Sequence, residues 1–476
     1  MAGIGFVLRK LAKQDNLSGF LRAYFHSAIV SAGPWIMVVV SLGFVSVYTS
    51  NVVGLREVNE FFSVVIYNFF FSFIISAPLY MISARYVSDC LYSKDLSLVP
   101  GILITSLIYI AIPTVVLGTA FYAFYAIMAP FDVILSVVNF VILAQIWIVM
   151  LYLSAIRNFR AITLSWVIGS VLTMFLAVFF GRAFGSNGMM LGFNIGLSVL
   201  LFTMIAQVLA ENPFPFKWPD DFGYYLKRYQ GLFWSGFFLF TGMWIDKVIM
   251  WAAPQGVTHM NNLRTYPVYD GAMFFSYLSI IPVLALFIFS LETNFYDSYI
   301  KYIQNIERNA PLSVIQEEKT NIFRKIVANG RNFLILQGCI TIVMLSLGPR
   351  FFEWFGIDFL QLGIYRLGAL GAFFAALNFF IVIIFSYFDN QQYMFRITAF
   401  MLITNIVFTV VFQRMGFSLY GYGYCLSMIL TFVVAIIGLA VFMNRLTYHV
   451  FISNVVKKEN ISYVYEKHDK ELNKRK

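Results

Sequence analysis

Asp246 and Lys247 stand side by side in an apolar run, Gly231 to Ala252, that also carries Trp244. Charged side chains inside hydrocarbon are costly and mark a cavity, a water path or a paired partner. Neighbouring residues on a helix point about 100° apart, so these two are not expected to pair face to face, and at least one needs a partner on another helix or water in a lumen. With Trp244 they would make a polar wall along which a hydrophilic substrate passes. The plainer alternative is a Lys247 that snorkels outward and an Asp246 held in a structural bond.

Other candidates sit where the chain enters or leaves apolar runs. Gly33, Pro34 and Trp35 interrupt the first run, Phe20 to Tyr48, which as a helix would be roughly 43 Å long against a hydrocarbon core of about 30 Å. Pro34 removes a backbone donor and clashes one turn back, so the bend belongs there, and a broken helix in lipid is tolerated against protein or a wet cavity. This helix is therefore expected to line a pathway, with simple kinking as the alternative. Arg22 and His26 enter it and mark either an entrance or headgroup contacts, and Glu292 ends the eighth run at the same face. Tyr266, Tyr269 and Asp270, in RTYPVYDG, suit an exit rim on which sugar rings stack, or an ordinary interfacial aromatic belt. Arg85 and Asp89 are four apart in ARYVSD and can pair across one helical turn as a structural clasp.

The sequence lacks several signatures of chemistry. There is no nucleotide-binding G-x-x-x-x-G-K-[ST], no H-E-x-x-H, no G-x-S-x-G and no Asp-x-Asp of the sugar-nucleotide transferase kind, so the chain reads as a non-enzyme without a cofactor. His259, His449 and His468 have no metal-ligand spacing, and no metal site is expected. Three scattered cysteines, Cys90, Cys339 and Cys425, suggest neither a disulfide framework nor zinc. The dense intramembrane carboxylates of a proton-driven pump are also missing.

The elements that must position these residues are membrane helices. Of 476 residues 60% are hydrophobic and only 12% charged, outside the range of a water-soluble domain. Runs long enough to span lie at Phe20 to Tyr48, Phe61 to Ser83, Val99 to Tyr125, Val133 to Leu153, Ala161 to Phe180, Met189 to Leu209, Gly231 to Ala252, Ala272 to Leu291, Asn332 to Leu347, Leu362 to Phe385, Phe395 to Phe412 and Leu426 to Met443. Twelve spans put both termini on one side. Of the 33 Lys and Arg, only Arg56, Arg182, Arg264, Arg350, Arg366 and Arg414 fall on the opposite side, and Lys247 alone lies in a span, so the termini are expected to be cytoplasmic. The net charge of +10 therefore points to a membrane surface and its lipids rather than to nucleic acid.

The expected architecture is all-α and polytopic: an interfacial amphipathic helix over 1–19, a six-helix bundle over 20–210, a linker over 211–230, a second six-helix bundle over 231–443 with a cytosolic loop at 297–331, and a basic tail over 444–476. A faint repeat supports two halves of equal topology, since Gly33-Pro34-Trp35-Ile36 is echoed by Gly242-Met243-Trp244-Ile245.

The opening MAGIGFVLRKL, with SAGPW in the first run, ARYVSD after the second and WIDK in the seventh, resembles the PelG family, the multispanning subunit of the Pel exopolysaccharide system, over the whole length. The resemblance implies a MOP-superfamily fold of two six-helix bundles (MATE-like) around a central cavity in the cytoplasmic (inner) membrane. It implies export of a growing N-acetylhexosamine-rich polysaccharide beside a cytosolic UDP-sugar glycosyltransferase, PelF-like, and membrane subunits that are PelD- or PelE-like. The alternatives are an alternating-access flippase of lipid-linked oligosaccharide, an ion-coupled exporter of small molecules, and a scaffold that recruits the transferase.

Overall fold

The computed structural model describes residues 37–50, 52–93, 95–156, 159–259, 261–283, 296–354 and 358–451. Arg22, His26, Gly33, Pro34, Trp35 and Glu292 lie outside them, as do the amphipathic segment 1–19 and most of the basic tail.

Long apolar sequences become helices because every backbone polar group in hydrocarbon must be satisfied within its own segment. In chain order these are α1 (Met37–Ser50), α2 (Leu55–Ser93), α3 (Val99–Ala120) with a π-helical turn at Phe121–Tyr125, α4 (Pro130–Ile156) and α5 (Phe159–Glu211). A short α6 (Phe222–Arg228) leads into α7 (Gln230–Trp251), a two-stranded antiparallel hairpin of β1 (Val257–Thr258) and β2 (Arg264–Thr265), and α8 (Pro267–Leu278). Then follow α9 (Tyr296–Glu307), α10 (Leu312–Trp354), α11 (Gln361–Tyr387), α12 (Gln391–Met415) and α13 (Tyr422–Asn444).

Among the described residues nine helices are long and apolar enough to cross a membrane, against twelve expected runs. Four of the runs account for the difference of three. The first is described only as α1, and the eighth only as the 12-residue α8. The fifth and sixth share α5, whose 53 residues contain a break at Phe184 and Gly185, where Gly185 takes φ 62. A carboxylate oxygen of Glu57 accepts from Ser186 N at 2.9 Å and holds that turn. Beyond it the arms run back on each other: a Cβ on Gly192 would lie 2.3 Å from the Leu176 carbonyl carbon, and one on Gly196 would lie 2.5 Å from Thr173 N. Small residues four apart let two helix backbones approach in lipid, and this pair does so.

The cytosolic loop expected at 297–331 is not separate from the ninth run. α10 is one 43-residue helix that carries the polar sequence from Leu312 straight into the apolar part, roughly 64 Å in all. No proline lies between Lys325 and Asn332, and the single Gly330 does not break the helix.

The first half packs around α4, whose Leu143, Ala144, Ile146, Ile148 and Val149 are fully buried and which touches α2, α3 and α5. In the second half α12 packs on α7 and α13, and α11 on α8 and α13. The outward faces stay apolar, with Phe179 68% and Ile342 65% exposed, as a lipid-facing surface requires. The two halves meet chiefly where α2 lies against α7.

Candidate functional site

The α2–α7 contact is an aromatic seam. Tyr67 stacks on Trp251 with centroids 4.4 Å apart, Phe70 meets Trp251 at 5.6 Å and Trp244 at 6.3 Å, and Phe73 meets Phe240 edge-on at 4.3 Å. Tyr67, Phe70 and Phe73 are three apart on α2, and Phe240, Trp244 and Trp251 are four and seven apart on α7, so each set shares one face and the rings form a continuous stripe. Further along, the helices come so close that a Cβ on Gly236 would lie 2.9 Å from the Ala77 carbonyl oxygen.

Trp244 joins this seam to the charged pair. Asp246 is fully buried and Lys247 is 6% exposed. Contrary to the expectation from the 100° spacing, Lys247 Nζ donates to both Asp246 carboxylate oxygens at 3.1 Å. The spacing fixes where each Cα–Cβ bond points, but four methylenes let a lysine fold back over its neighbour. Lys247 does not snorkel outward either. Its ammonium also contacts the Tyr277 hydroxyl at 3.2 Å and lies 4.8, 4.6 and 5.3 Å from the ring centroids of Trp244, Tyr277 and Tyr424. An ammonium over aromatic faces is attracted by the ring quadrupoles, the more so when desolvated. Tyr269 donates to Asp246 Oδ2 at 2.9 Å, and Tyr277 donates to the Met243 carbonyl at 2.9 Å. The Tyr424 hydroxyl is buried without a hydrogen bond of ordinary geometry. The result is an overall neutral ion pair walled by α7, α8 and α13.

Of the residues expected as an exit rim, Tyr266 and Tyr269 are buried with their rings stacked at 6.3 Å, and Asp270 is half-buried. Asp270 accepts from Trp251 Nε1 at 2.9 and 3.1 Å and from Tyr266 N at 3.2 Å. Just before them the hairpin reaches the first half. Tyr67 donates to the Arg264 carbonyl at 2.7 Å, Asn261 donates to Ser63 at 3.0 Å, and Asn262 donates to the Ala126 carbonyl at 3.4 Å.

The halves also meet some 27 Å further along α2, the rise of the turns between Tyr67 and Arg85. Arg85 lies 3.1 Å from Asp89 and 4.0 Å from Asp389 in the α11–α12 turn. Tyr225 of α6 donates to Asp89 at 3.2 Å and stacks on Tyr86 at 4.0 Å, so the linker between the halves belongs to the same cluster.

The aromatic seam and a chain of buried amides were not singled out from the sequence. Tyr122 donates to Asn68, Asn68 to Asn139 and Asn139 to Asn194, at 2.6, 2.9 and 2.7 Å. These tie α2, α4, α5 and the π turn together with neutral groups, so the buried ionic chemistry described within the spans belongs to the second half.

This arrangement of helices is a fold shared with solved MOP-superfamily proteins. Structural likeness to an outward-facing MATE-family multidrug-resistance transporter of the MOP superfamily has a TM-score of 0.63 at 12% identity, covering 89% of this chain and 96% of that one. A MOP superfamily transporter from Pyrococcus furiosus, described as having a binding pocket of reverse polarity, gives 0.62 at 12% identity, covering 88% and 96%. The chain belongs to the PelG family, described as "Putative exopolysaccharide Exporter (EPS-E)", whose model matches residues 1–451. No curated protein gives a significant match.

Proposed function

We propose that this chain carries a growing exopolysaccharide, of the N-acetylhexosamine-rich Pel type, across the cytoplasmic membrane without catalysing a reaction itself. Twelve spans with both termini cytoplasmic would suit the charge distribution, and the hairpin would then lie at the extracytoplasmic end and the Arg85 cluster at the cytoplasmic end. A cytosolic UDP-sugar glycosyltransferase, with companion membrane subunits, would supply and push the polymer. The polar start of α10 is a candidate surface for that partner.

Family membership supports the substrate class, and the aromatic seam carries the rest of the reading. A neutral sugar chain has apolar ring faces and many hydroxyls, so stacked aromatics with replaceable hydrogen bonds hold it loosely enough to let it slide. Trp244 sits where the seam meets the Asp246–Lys247 pair, and Gly33, Pro34 and Trp35 would supply the opposing wall, with Arg22, His26 and Glu292 at the entrance. The test is secretion at matched protein levels from cells carrying Trp244→Ala and the double variant Asp246→Leu with Lys247→Met. Secreted polysaccharide should fall in both; unchanged secretion in both removes these residues from the path.

A second reading, alternating access by a flippase of lipid-linked oligosaccharide, is favoured by one observation. The halves are bonded at both ends, through Tyr67–Arg264 and Arg85–Asp389, as in a gated path rather than a permanent pore. Appearance of lipid-linked oligosaccharide in the outer leaflet, without transferase present, would decide for it.

A further inference from the structure

We propose that a recess at the hairpin end of the second half binds the phosphate of an anionic phospholipid through Arg366, and that the bound lipid braces the loop between α12 and α13. The inference does not depend on what the chain carries.

The recess has a volume of about 330 Å³ and lies between the start of α11 and the loop Gly416 to Gly421. Among the described residues Arg366 is the only charged one in its lining, and Ser418 adds a hydroxyl. A guanidinium presents a planar fork of donors that matches two phosphate oxygens. This one is uncommitted: among the described residues no carboxylate pairs with Arg366. The ends of α10 to α13 that surround it, with the turns that join them, carry Arg350, Arg366 and Arg414 against Glu353 and Asp358, a net positive charge. With the termini cytoplasmic this end would lie in the outer leaflet, where arginine is scarce and an anionic headgroup is its natural counter-ion.

The mouth of the recess is apolar. Leu360 and Tyr422 line it and are exposed, as are Phe359 and Met415 at the same helix ends. A soluble anion gains nothing from such an approach, whereas a phospholipid brings a phosphodiester and apolar chains together. A zwitterionic lipid would add a cation of its own to a site that already has one.

The rings here are poorly placed for a sugar, which would need an open face to stack on. Tyr420 is buried, edge-on to Phe417 at 5.5 Å and to Tyr266 at 6.2 Å, and its hydroxyl donates to Gln255 at 2.9 Å. That last bond gives the recess its consequence. The loop is closed at its ends by Gly416 and Gly421, with φ of 113 and 95, values that side chains with a Cβ rarely allow. Its Tyr420 holds Gln255, just before the hairpin. A phosphate bonded to both Arg366 and Ser418 ties this loop to α11 and so secures the approach to the hairpin.

The experiment uses the full chain, delipidated in detergent and titrated with phosphatidylglycerol, with native mass spectrometry reading the tightest-bound lipid and hydrogen exchange reading segment 416–421. Arg366 is exposed, so Arg366→Gln should keep the fold, and its unfolding midpoint checks this. The expected result is that Arg366→Gln weakens the first phosphatidylglycerol about tenfold or more, the loss of a charge-assisted bond. Arg414→Gln, at the same end but outside the recess, should leave it unchanged. Lipid should raise the protection of segment 416–421 in the wild type and in Arg414→Gln but not in Arg366→Gln. Equal weakening in both variants shows general charge attraction only and overturns the proposal, as does no weakening in Arg366→Gln. Phosphatidylethanolamine bound as tightly overturns the anionic preference. Displacement of the lipid by sn-glycerol 3-phosphate, or by an N-acetylglucosamine tetrasaccharide, overturns the lipid assignment in favour of a soluble phosphate ester or a sugar. No secretion is measured, so a failure here leaves the export reading to its own test.

Discussion

Arg85 and Asp389 face each other at 4.0 Å across the two halves of the chain, with Asp89 at 3.1 Å on the arginine's own helix. One guanidinium is thus shared by a carboxylate of its own turn and one from the other half. Tyr229 lies beneath it at 5.5 Å. A double-mutant cycle with Arg85→Gln and Asp389→Asn should give a coupling energy of roughly 1 kcal/mol, because the pair is only partly shielded from water. Thermal unfolding in detergent measures it. The same single variants should also speed disulfide trapping between cysteines placed to report opening at that end.

The buried pair should respond differently. Replacing Lys247 alone by Met leaves Asp246 as an uncompensated buried charge, at a cost of about 3–5 kcal/mol, and Asp246→Leu alone does the same to Lys247. Removing both should cost much less than the two single costs together. Unfolding midpoints of the three variants check this; a double variant as unstable as the sum would mean that the residues are held by other partners.

Gly236 sets how closely α2 and α7 approach. A methyl group there would press on the Ala77 carbonyl and on Met81, each 2.9 Å from the added carbon. Gly236→Ala should destabilise the protein by about 1–3 kcal/mol through overpacking, and Gly236→Leu should force the halves apart. Unfolding midpoints of the purified variants read the first, and cross-linking yield across the seam reads the second.

The hairpin has a pH dependence of its own. Burial lowers the His259 pKa below its ordinary value, so the folded hairpin prefers the neutral imidazole. Its contribution to hairpin order is then present above the ordinary histidine pKa of about 6.5 and is lost as pH falls through and below it. Exchange of segment 257–266 in the wild type should lose more protection below that pH than in His259→Gln.

Much of the fold was legible because hydrocarbon imposes one rule. The run Val99 to Tyr125 coincides with α3 and its π turn, and the run Gly231 to Ala252 differs from α7 by one residue at each end. The extension of α10 was hidden because polar and apolar stretches were read as separate elements, although nothing in the sequence stops the helix between them. The site was less legible. Asp246 and Lys247 stood out as charges in an apolar run, but their mutual bond depends on a flexible lysine stem. Asp389 could not be assigned to Arg85, since no local spacing links residues so far apart in the chain. In a chain that is 19% aromatic, Phe70 and Trp244 carry no distinguishing signal until the helices are placed together. Asn68, Asn139 and Asn194 were silent for a related reason: single neutral amides in three different runs show their purpose only as a bonded chain.

If a sugar polymer passes through this chain, polymer made on one side of the membrane reaches the other only when the chain is present. Inverted membrane vesicles containing the full chain, its glycosyltransferase and any companion membrane subunits, supplied with UDP-sugar outside, test it most directly. Polymer protected from added glycosidase should accumulate inside the vesicles, and Trp244→Ala at equal protein level should reduce it. Equal amounts of protected polymer with and without the chain would contradict it.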